Sequence, residues 1–291
     1  MTVTVGAPPL PPGRRVELPG RGTTFVREVT GPPGAPALIL LHGLGANADL
    51  NWFTCFGALG RHFRVVAFDQ RGHGRGIRVG VRFRMSDAAD DTVAVADALG
   101  IDRFIVVGYS MGGPVAQLTW HRHRDRVAGL VLCATSRDFG GSPRERMAFA
   151  VLPGLSAALR VAPYRVRRNV MGGVISGRLG DGPLARWAAT ELGRNDPAAM
   201  MAAAAALGRF SSRAWIGEVD VPTAVVVTLR DSLVPPHRQR KLADAIRGAT
   251  VHPVDADHGA CAAAPSRFVP ALVDACRSVA ARAVFAPSRL S

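Results

Sequence analysis

The stretch Phe104-Ile-Val-Val-Gly-Tyr-Ser-Met-Gly-Gly113 decides the fold. Four apolar residues, Phe104 to Val107, lead into Gly108-Tyr109-Ser110-Met111-Gly112, a G-x-S-x-G pentapeptide, and helical sequence follows. A serine on so tight a strand-to-helix turn adopts a positive φ, and its neighbours two before and two after must lack a bulky Cβ. Ser110 is therefore expected to project above a sheet edge as a nucleophile. The Met111 N–H is expected to point to where an attacked carbonyl oxygen would develop charge.

Working outward, the same kind of apolar run recurs. Ala37 to Leu41 ends at His42-Gly43, Phe63 to Phe68 at Asp69, Val127 to Cys133 precedes the middle of the chain, Thr223 to Leu229 ends at Arg230-Asp231, and Thr250 to Val254 ends near His258. Continuous apolar runs of this length read as strands buried on both faces. Helical stretches lie between most of them, so the fold class is α/β, a mostly parallel central sheet flanked by helices. Ser86 is read as the cap of one such helix, with Asp87, Asp90 and Asp91 in its first turns and Gly100 at its end. A Pro-rich leader, residues 1–13, is expected to be mobile; two shorter β-like runs, Arg15 to Leu18 and Thr23 to Val29, follow it. From about Arg137 to Glu218 no strand signal appears, which predicts a helical cap or lid over 137–218, inserted before the acid-bearing strand. The core then comprises 14–136 and 219–291.

An alcohol is a poor nucleophile at neutral pH and needs a base, which needs an orienting carboxylate. His258, in Asp257-His258-Gly259 just beyond the last strand, is the candidate base, whereas His62, His121 and His123 fall on or beside helices and read as solvent-facing. Asp231, ending its strand ahead of Ser232-Leu-Val-Pro235, is the candidate acid, with Asp138 as substitute. His42-Gly43-Leu44-Gly45 could present the Leu44 N-H to the oxyanion opposite Met111, each such donor being worth about 3 kcal/mol of barrier lowering. His42 and Gly43 read as the supporting loop, with His42 bracing the turn.

With these elements in hand, the sequence resembles the α/β-hydrolase superfamily, in its capped, esterase-like serine branch, from about Arg15 to Arg282. The motifs that carry the resemblance are His42-Gly43, Asp69-Gln-Arg-Gly-His-Gly74, Gly108-Tyr-Ser-Met-Gly112, Asp231 with Val234-Pro235, and His258, in the chain order Ser, Asp, His of that family. The resemblance implies Ser110 as nucleophile, Asp231 as acid, His258 as base, and Leu44 with Met111 as oxyanion hole. It implies hydrolysis of a carboxylic ester of a small or medium-sized hydrophobic molecule through an acyl-enzyme, with no cofactor and no metal. Thioester hydrolysis, acyl transfer to an alcohol and hydrolytic C–C cleavage use the same triad and stay open, while dehalogenase and epoxide-hydrolase chemistry needs an aspartate at the elbow. Two departures stand out: Arg75-Gly76 where a serine often follows, and Thr228 where a glycine often precedes the acid. Both are read as matters of loop shape.

Other function classes fare worse. The formal charge of +14 suggests a polyanionic partner, but 35 of the 36 basic residues are arginine, only Lys241 being lysine, and they are spread along the chain without a nucleic-acid-binding motif. No nucleic-acid partner is expected. Gly43-Leu-Gly45-Ala-Asn-Ala48 with Asp69 downstream mimics a dinucleotide fingerprint, yet leaves Ser110, Asp231 and His258 unexplained. A non-catalytic ligand receptor keeping the triad is a third reading. Cys55, Cys133, Cys261 and Cys276 stand too far apart for a metal or redox motif and read as reduced core thiols, and no apolar run is long enough to span a bilayer. Without a secretory signal, a cytoplasmic location is expected. The cap carries twelve arginines against six acids, with Arg165, Arg167 and Arg168 beside Tyr164. That cluster reads either as a solvated face or as attraction for an anionic substrate tail or a lipid surface, the latter a peripheral contact.

Overall fold

In the computed structural model, residues 7–80, 82–141, 143–163, 165–166 and 182–283 are described. The apolar runs form one eight-stranded sheet: β1 (Gly13–Leu18), β2 (Gly22–Val29), β3 (Ala37–Leu41), β4 (Arg64–Phe68), β5 (Phe104–Tyr109), β6 (Val127–Cys133), β7 (Thr223–Thr228) and β8 (Thr250–Val254). Their order is β1-β2-β4-β3-β5-β6-β7-β8. β2 pairs antiparallel with β1 and with β4, and every other pairing is parallel.

Alternation along each strand divides the core into two layers. Ile39, Leu41, Phe104 and Val106 pack on one face, against α3 (Met85–Ala98) and α4 (Gly112–Arg122). Leu38, Leu40, Ile105 and Val107 pack on the other, which α1 (Ala48–Trp52) and α2 (Phe56–Gly60) help to cover. Each of these fully buried side chains contributes about 1.5–3 kcal/mol. The register aligns Leu41 with Gly108, Tyr109 with Cys133 and Cys133 with Val226, so the carboxyl ends of β3, β5, β6 and β7 meet at one sheet edge.

Between β6 and β7 the described residues form α5 (Pro143–Ala150), α6 (Leu152–Val161), α7 (Pro183–Leu192), α8 (Pro197–Arg209) and a 3-10 turn (Ile216–Glu218). Their β-pairing is limited to an isolated bridge, Asp138 with Ser211. α8 starts with a strong cap, Asp196 accepting from the Ala198 N–H at 2.8 Å ahead of Pro197. After β7 come α9 (Pro236–Asp244), α10 (Ala260–Ala263) and α11 (Pro265–Arg282). α9 joins the first face of the sheet through Leu242 and Ala243, and α11 the second through Phe268, Leu272 and Val279.

Several local expectations are corrected. α3 is entered two residues earlier than Ser86 would set it: Arg84 is the cap, without a capping side chain, because buried Phe83 anchors the extended segment before it. Asp90 and Asp91 serve as ion-pair anchors, Asp91 for Arg21 and Arg71, Asp90 for Arg122 and His123. Gly100 does end the helix, at φ +62°. β1 opens at Gly13, inside the stretch read as leader, and the Pro11 carbonyl there accepts from Arg27. Residues 1–6 lie outside the described residues, as do Tyr164, Arg167 and Arg168 of the arginine cluster. All four cysteines are buried free thiols, with burial pushing Cys55 and Cys261 up to about 12.

Candidate active site

Ser110 sits between the end of β5 and the start of α4 at φ +50°, one of two non-glycine residues with positive φ among those described. The flanking glycines are required by close approach: a Cβ on Gly108 would stand 2.3 Å from the Gly112 carbonyl oxygen, and one on Gly112 would stand 2.3 Å from that of Leu41. The turn therefore packs backbone against backbone, and the strain is held by Ser110 N–H donating to Cys133 O and by Thr135 donating to Ser110 O.

The structure brings Ser110, His258 and Asp231 together. His258 Nε2 lies 2.9 Å from Ser110 Oγ, and His258 Nδ1 lies 2.7 Å from Asp231 Oδ2. Only one tautomer serves both contacts with a neutral imidazole, Nδ1–H donating to the carboxylate and Nε2 accepting from the serine hydroxyl. Asp138 is elsewhere, held by Arg213 at 2.8 Å and Arg238 at 3.3 Å, so the substitute acid falls away.

Asp231 is fixed by more groups than the sequence indicated. Its Oδ1 accepts from the N–H groups of Leu233 and Val234, and its Oδ2 accepts from Thr228 Oγ1 at 2.8 Å and Gln239 Nε2 at 3.2 Å besides the histidine. Burial alone would raise the Asp231 pKa, but His258, Val234 and Thr228 outweigh it and leave it below the usual carboxylate value. Thr228, read from sequence as a loop-shape variation, is thus a direct partner of the acid. Gln239, fully buried on α9, also bonds both the N–H and the hydroxyl of Thr228. Tyr109 was likewise missed: its hydroxyl donates to the His258 carbonyl at 2.7 Å, and its ring packs edge-on to the imidazole.

Opposite the elbow, Gly43 approaches Ser110 so closely that a Cβ on it would be 3.3 Å from the serine Cβ. The N–H groups of Leu44 and Met111 have no hydrogen-bond partner among the described residues, which leaves two donors beside the nucleophile. His42 braces this loop as expected: fully buried, it contacts the Gly43 carbonyl through Nδ1 at 2.8 Å and accepts the Gln70 N–H at 2.9 Å. Burial pushes its pKa down to about 4 against the raising effect of the Gly43 contact. His73 stands edge-on to it, brought down to about 3 by burial and then by His42.

Asp69, whose spacing mimics a ribose-binding acid, is consumed structurally by the N–H groups of Ala48 and Arg75. Arg75, the other departure, bonds Asp69 and Asp49 and lies 3.5 Å over the Phe25 ring. Two further residues come from the inserted helices. Asn195 donates to Gly45 O at 2.7 Å and accepts from Gly74 N–H at 2.9 Å, while Asn47 Nδ2 reaches buried Glu191 at 2.8 Å. No local pattern announces either contact, because each joins segments more than a hundred residues apart.

A doubly covered, mostly parallel sheet that brings Ser110, His258 and Asp231 together at its carboxyl edge is the architecture of an α/β-type hydrolase. Residues 36–265 match the family model described as alpha/beta hydrolase fold, and the chain belongs to that family. It is 32% identical over 231 residues to RutD of Variovorax paradoxus (strain S110), named a carbamate hydrolase, covering 77% of this chain and 85% of the relative. It is 30% identical over 254 residues to a poly(3-hydroxyalkanoate) depolymerase of Ectopseudomonas oleovorans, covering 84% and 85%. The enol-lactonase from Burkholderia xenovorans LB400 shares the fold with a TM-score of 0.74 at 23% identity, over 91% of this chain and 100% of that one. No helix among the described residues is long and apolar enough to cross a membrane.

Proposed function

We propose that the protein is a serine esterase that cleaves carboxylic esters of small or medium-sized hydrophobic molecules through an acyl-enzyme. The observation that carries this reading is His258 bridging Ser110 and Asp231 at 2.9 and 2.7 Å. Ser110 Oγ attacks the ester carbonyl as its proton passes to His258 Nε2, and the oxyanion accepts from the Leu44 and Met111 N–H groups. The C–O bond then breaks, and the alcohol leaves with the proton from His258. Water, deprotonated by the same nitrogen, attacks the acyl carbon and releases the acid and Ser110. Asp231 keeps the imidazole in the required tautomer and stabilises its cation.

The inserted helices serve as the lid of this reading. Met200 of α8 lies against Gly45, and Ala199 against Gly72, so α8 roofs the loops beside Leu44. Selectivity belongs there, since the sheet edge supplies only the reaction. A second reading, hydrolysis of a carbamate, is favoured by the likeness to RutD and uses the same attack on a carbonyl.

A panel of p-nitrophenyl esters of increasing acyl length, run beside an aryl carbamate and an acyl-CoA thioester, separates the readings. The esterase reading expects kcat/KM highest for an ester of short or medium chain. A carbamate or thioester preferred by a hundredfold would replace it.

A further inference from the structure

Away from the sheet edge, α6, α8 and the segment before α3 enclose a cavity of about 510 Å³. Among the described residues its lining includes Arg82, Arg160 and Arg209 and no carboxylate. Several other half-buried arginines are matched to acids: Arg27 and Arg75 to Asp49, Arg71 to Asp91. Arg160 is different. Its Nη2 is buried without a hydrogen-bond partner, a costly state for a charged donor. The floor is apolar, formed by Phe83, Ala202 and Ala205 with Ala157 exposed at its edge, and a second hollow of about 280 Å³ shares Arg82, Phe83 and Arg209 and extends to Arg84 and Phe210.

An unmatched guanidinium at the bottom, two more at the rim and an apolar floor together select for one kind of molecule. Arginine forks match a carboxylate in geometry and charge, and the floor rewards an apolar body that a hydrated inorganic anion lacks. We propose that this cleft is a second ligand site, separate from Ser110, that holds the carboxylate of an amphiphilic monoanion on Arg160, Arg82 and Arg209 with its chain over Phe83 and the alanines. None of Ser110, His258, Leu44 or Met111 lines it. The cleft joins two helices of the insert to residues 82–83 of the core, and α8 meets the Gly45 loop through its other side, so an occupant fastens the insert over the catalytic edge.

The test is calorimetric titration of the intact protein with decanoate and with neutral 1-decanol, before and after Ser110 carries a fluorophosphonate adduct verified by mass. One decanoate site that persists on the adduct, discriminates against decanol by at least tenfold, and weakens about tenfold or more in Arg160→Gln is the expected result. Arg82→Gln/Arg209→Gln, confined to exposed side chains, must weaken it as well and guards against a folding defect in the first variant. Unchanged affinity in both variants, equal binding of decanol, or binding abolished by the adduct would each overturn the site. If no adduct forms, the nucleophile assignment fails, whereas the arginine variants still decide the cleft.

Discussion

The carboxyl edge of the sheet and the inserted helices hold their residues in opposite ways. At the edge, one carboxylate, Asp231, accepts from His258, Thr228, Gln239, Leu233 and Val234, and the serine turn is packed backbone against backbone. In the insert, α8 rests on alanine and methionine contacts, its neighbours expose Met147, Val151, Leu155, Val161 and Leu184, and the ties to core loops near the site are Asn195 and Glu191. The difference teaches where accuracy is needed. Proton transfer fails if a donor moves by an ångström, so the proposed triad would need this over-determination, while a lid, the role proposed for the insert, would have to tolerate substrates of different shape.

The largest effect expected from breaking this contrast is at the edge. Ser110→Ala should lower kcat/KM about 10⁴-fold or more with the thermal midpoint nearly unmoved, because the hydroxyl reacts but packs little. His258→Ala should match it in steady-state assays. Activity should also fall on acidification, since a protonated His258 cannot take the serine proton. An enzyme that keeps its rate through Ser110→Ala would reduce the edge to mere structure.

Next in size is acid stability. His42 and His73 are neutral in the folded core, at about 4 and about 3, against an unfolded value of about 6.5. The unfolded chain therefore binds more protons as pH falls below 6.5, and stability must drop. Between pH 7 and 5 the loss is about 2 kcal/mol for each histidine, before the carboxylates begin to titrate. Denaturant unfolding at the two pH values measures it. His73→Leu should flatten the dependence, and an unchanged slope would mean that the bracing loops are solvated.

Smaller effects separate positioning from packing. Thr228→Val removes one donor from Asp231 at similar volume, and about a tenfold loss in kcat is expected. Thr228→Ser, which keeps the hydroxyl donor to Asp231, should restore most of the rate. A loss that Thr228→Ser leaves unrestored would assign Thr228 to packing alone. Smallest is Asn195→Ala, which unties the insert from Gly45 and Gly74: a few-fold rise in KM is expected, with kcat changing less. A kcat collapse there would show that the insert, too, carries the chemistry.

What could be read from residues alone follows the same division. β3, β5, β6 and β7 are buried on both faces, so their composition records them directly, and Ser110 and Asp231 each lie within a few residues of such a run, whereas His258 follows β8, an edge strand whose residues are mostly not buried. Thr228 and Gln239 were invisible because their role depends on how α9 packs against β7, and Tyr109 because its hydroxyl bonds a backbone carbonyl of a distant loop. The cap of α3 was misplaced because Ser86 has the right side chain, but Phe83 burial sets the entry. Sequence ranks Asp231 ahead of Asp138 without excluding the latter; His258 beside Asp231, and Arg213 and Arg238 beside Asp138, separate them in the structure.

The central claim, that Ser110 is acylated during turnover, is tested most directly by acid-quenching the enzyme during hydrolysis of a p-nitrophenyl ester and mapping the peptides by mass. The account predicts a burst of nitrophenol, with the acyl mass on the peptide containing Ser110 and none in Ser110→Ala. Burst-free turnover without an adduct, or an acyl group on any other residue, would contradict it.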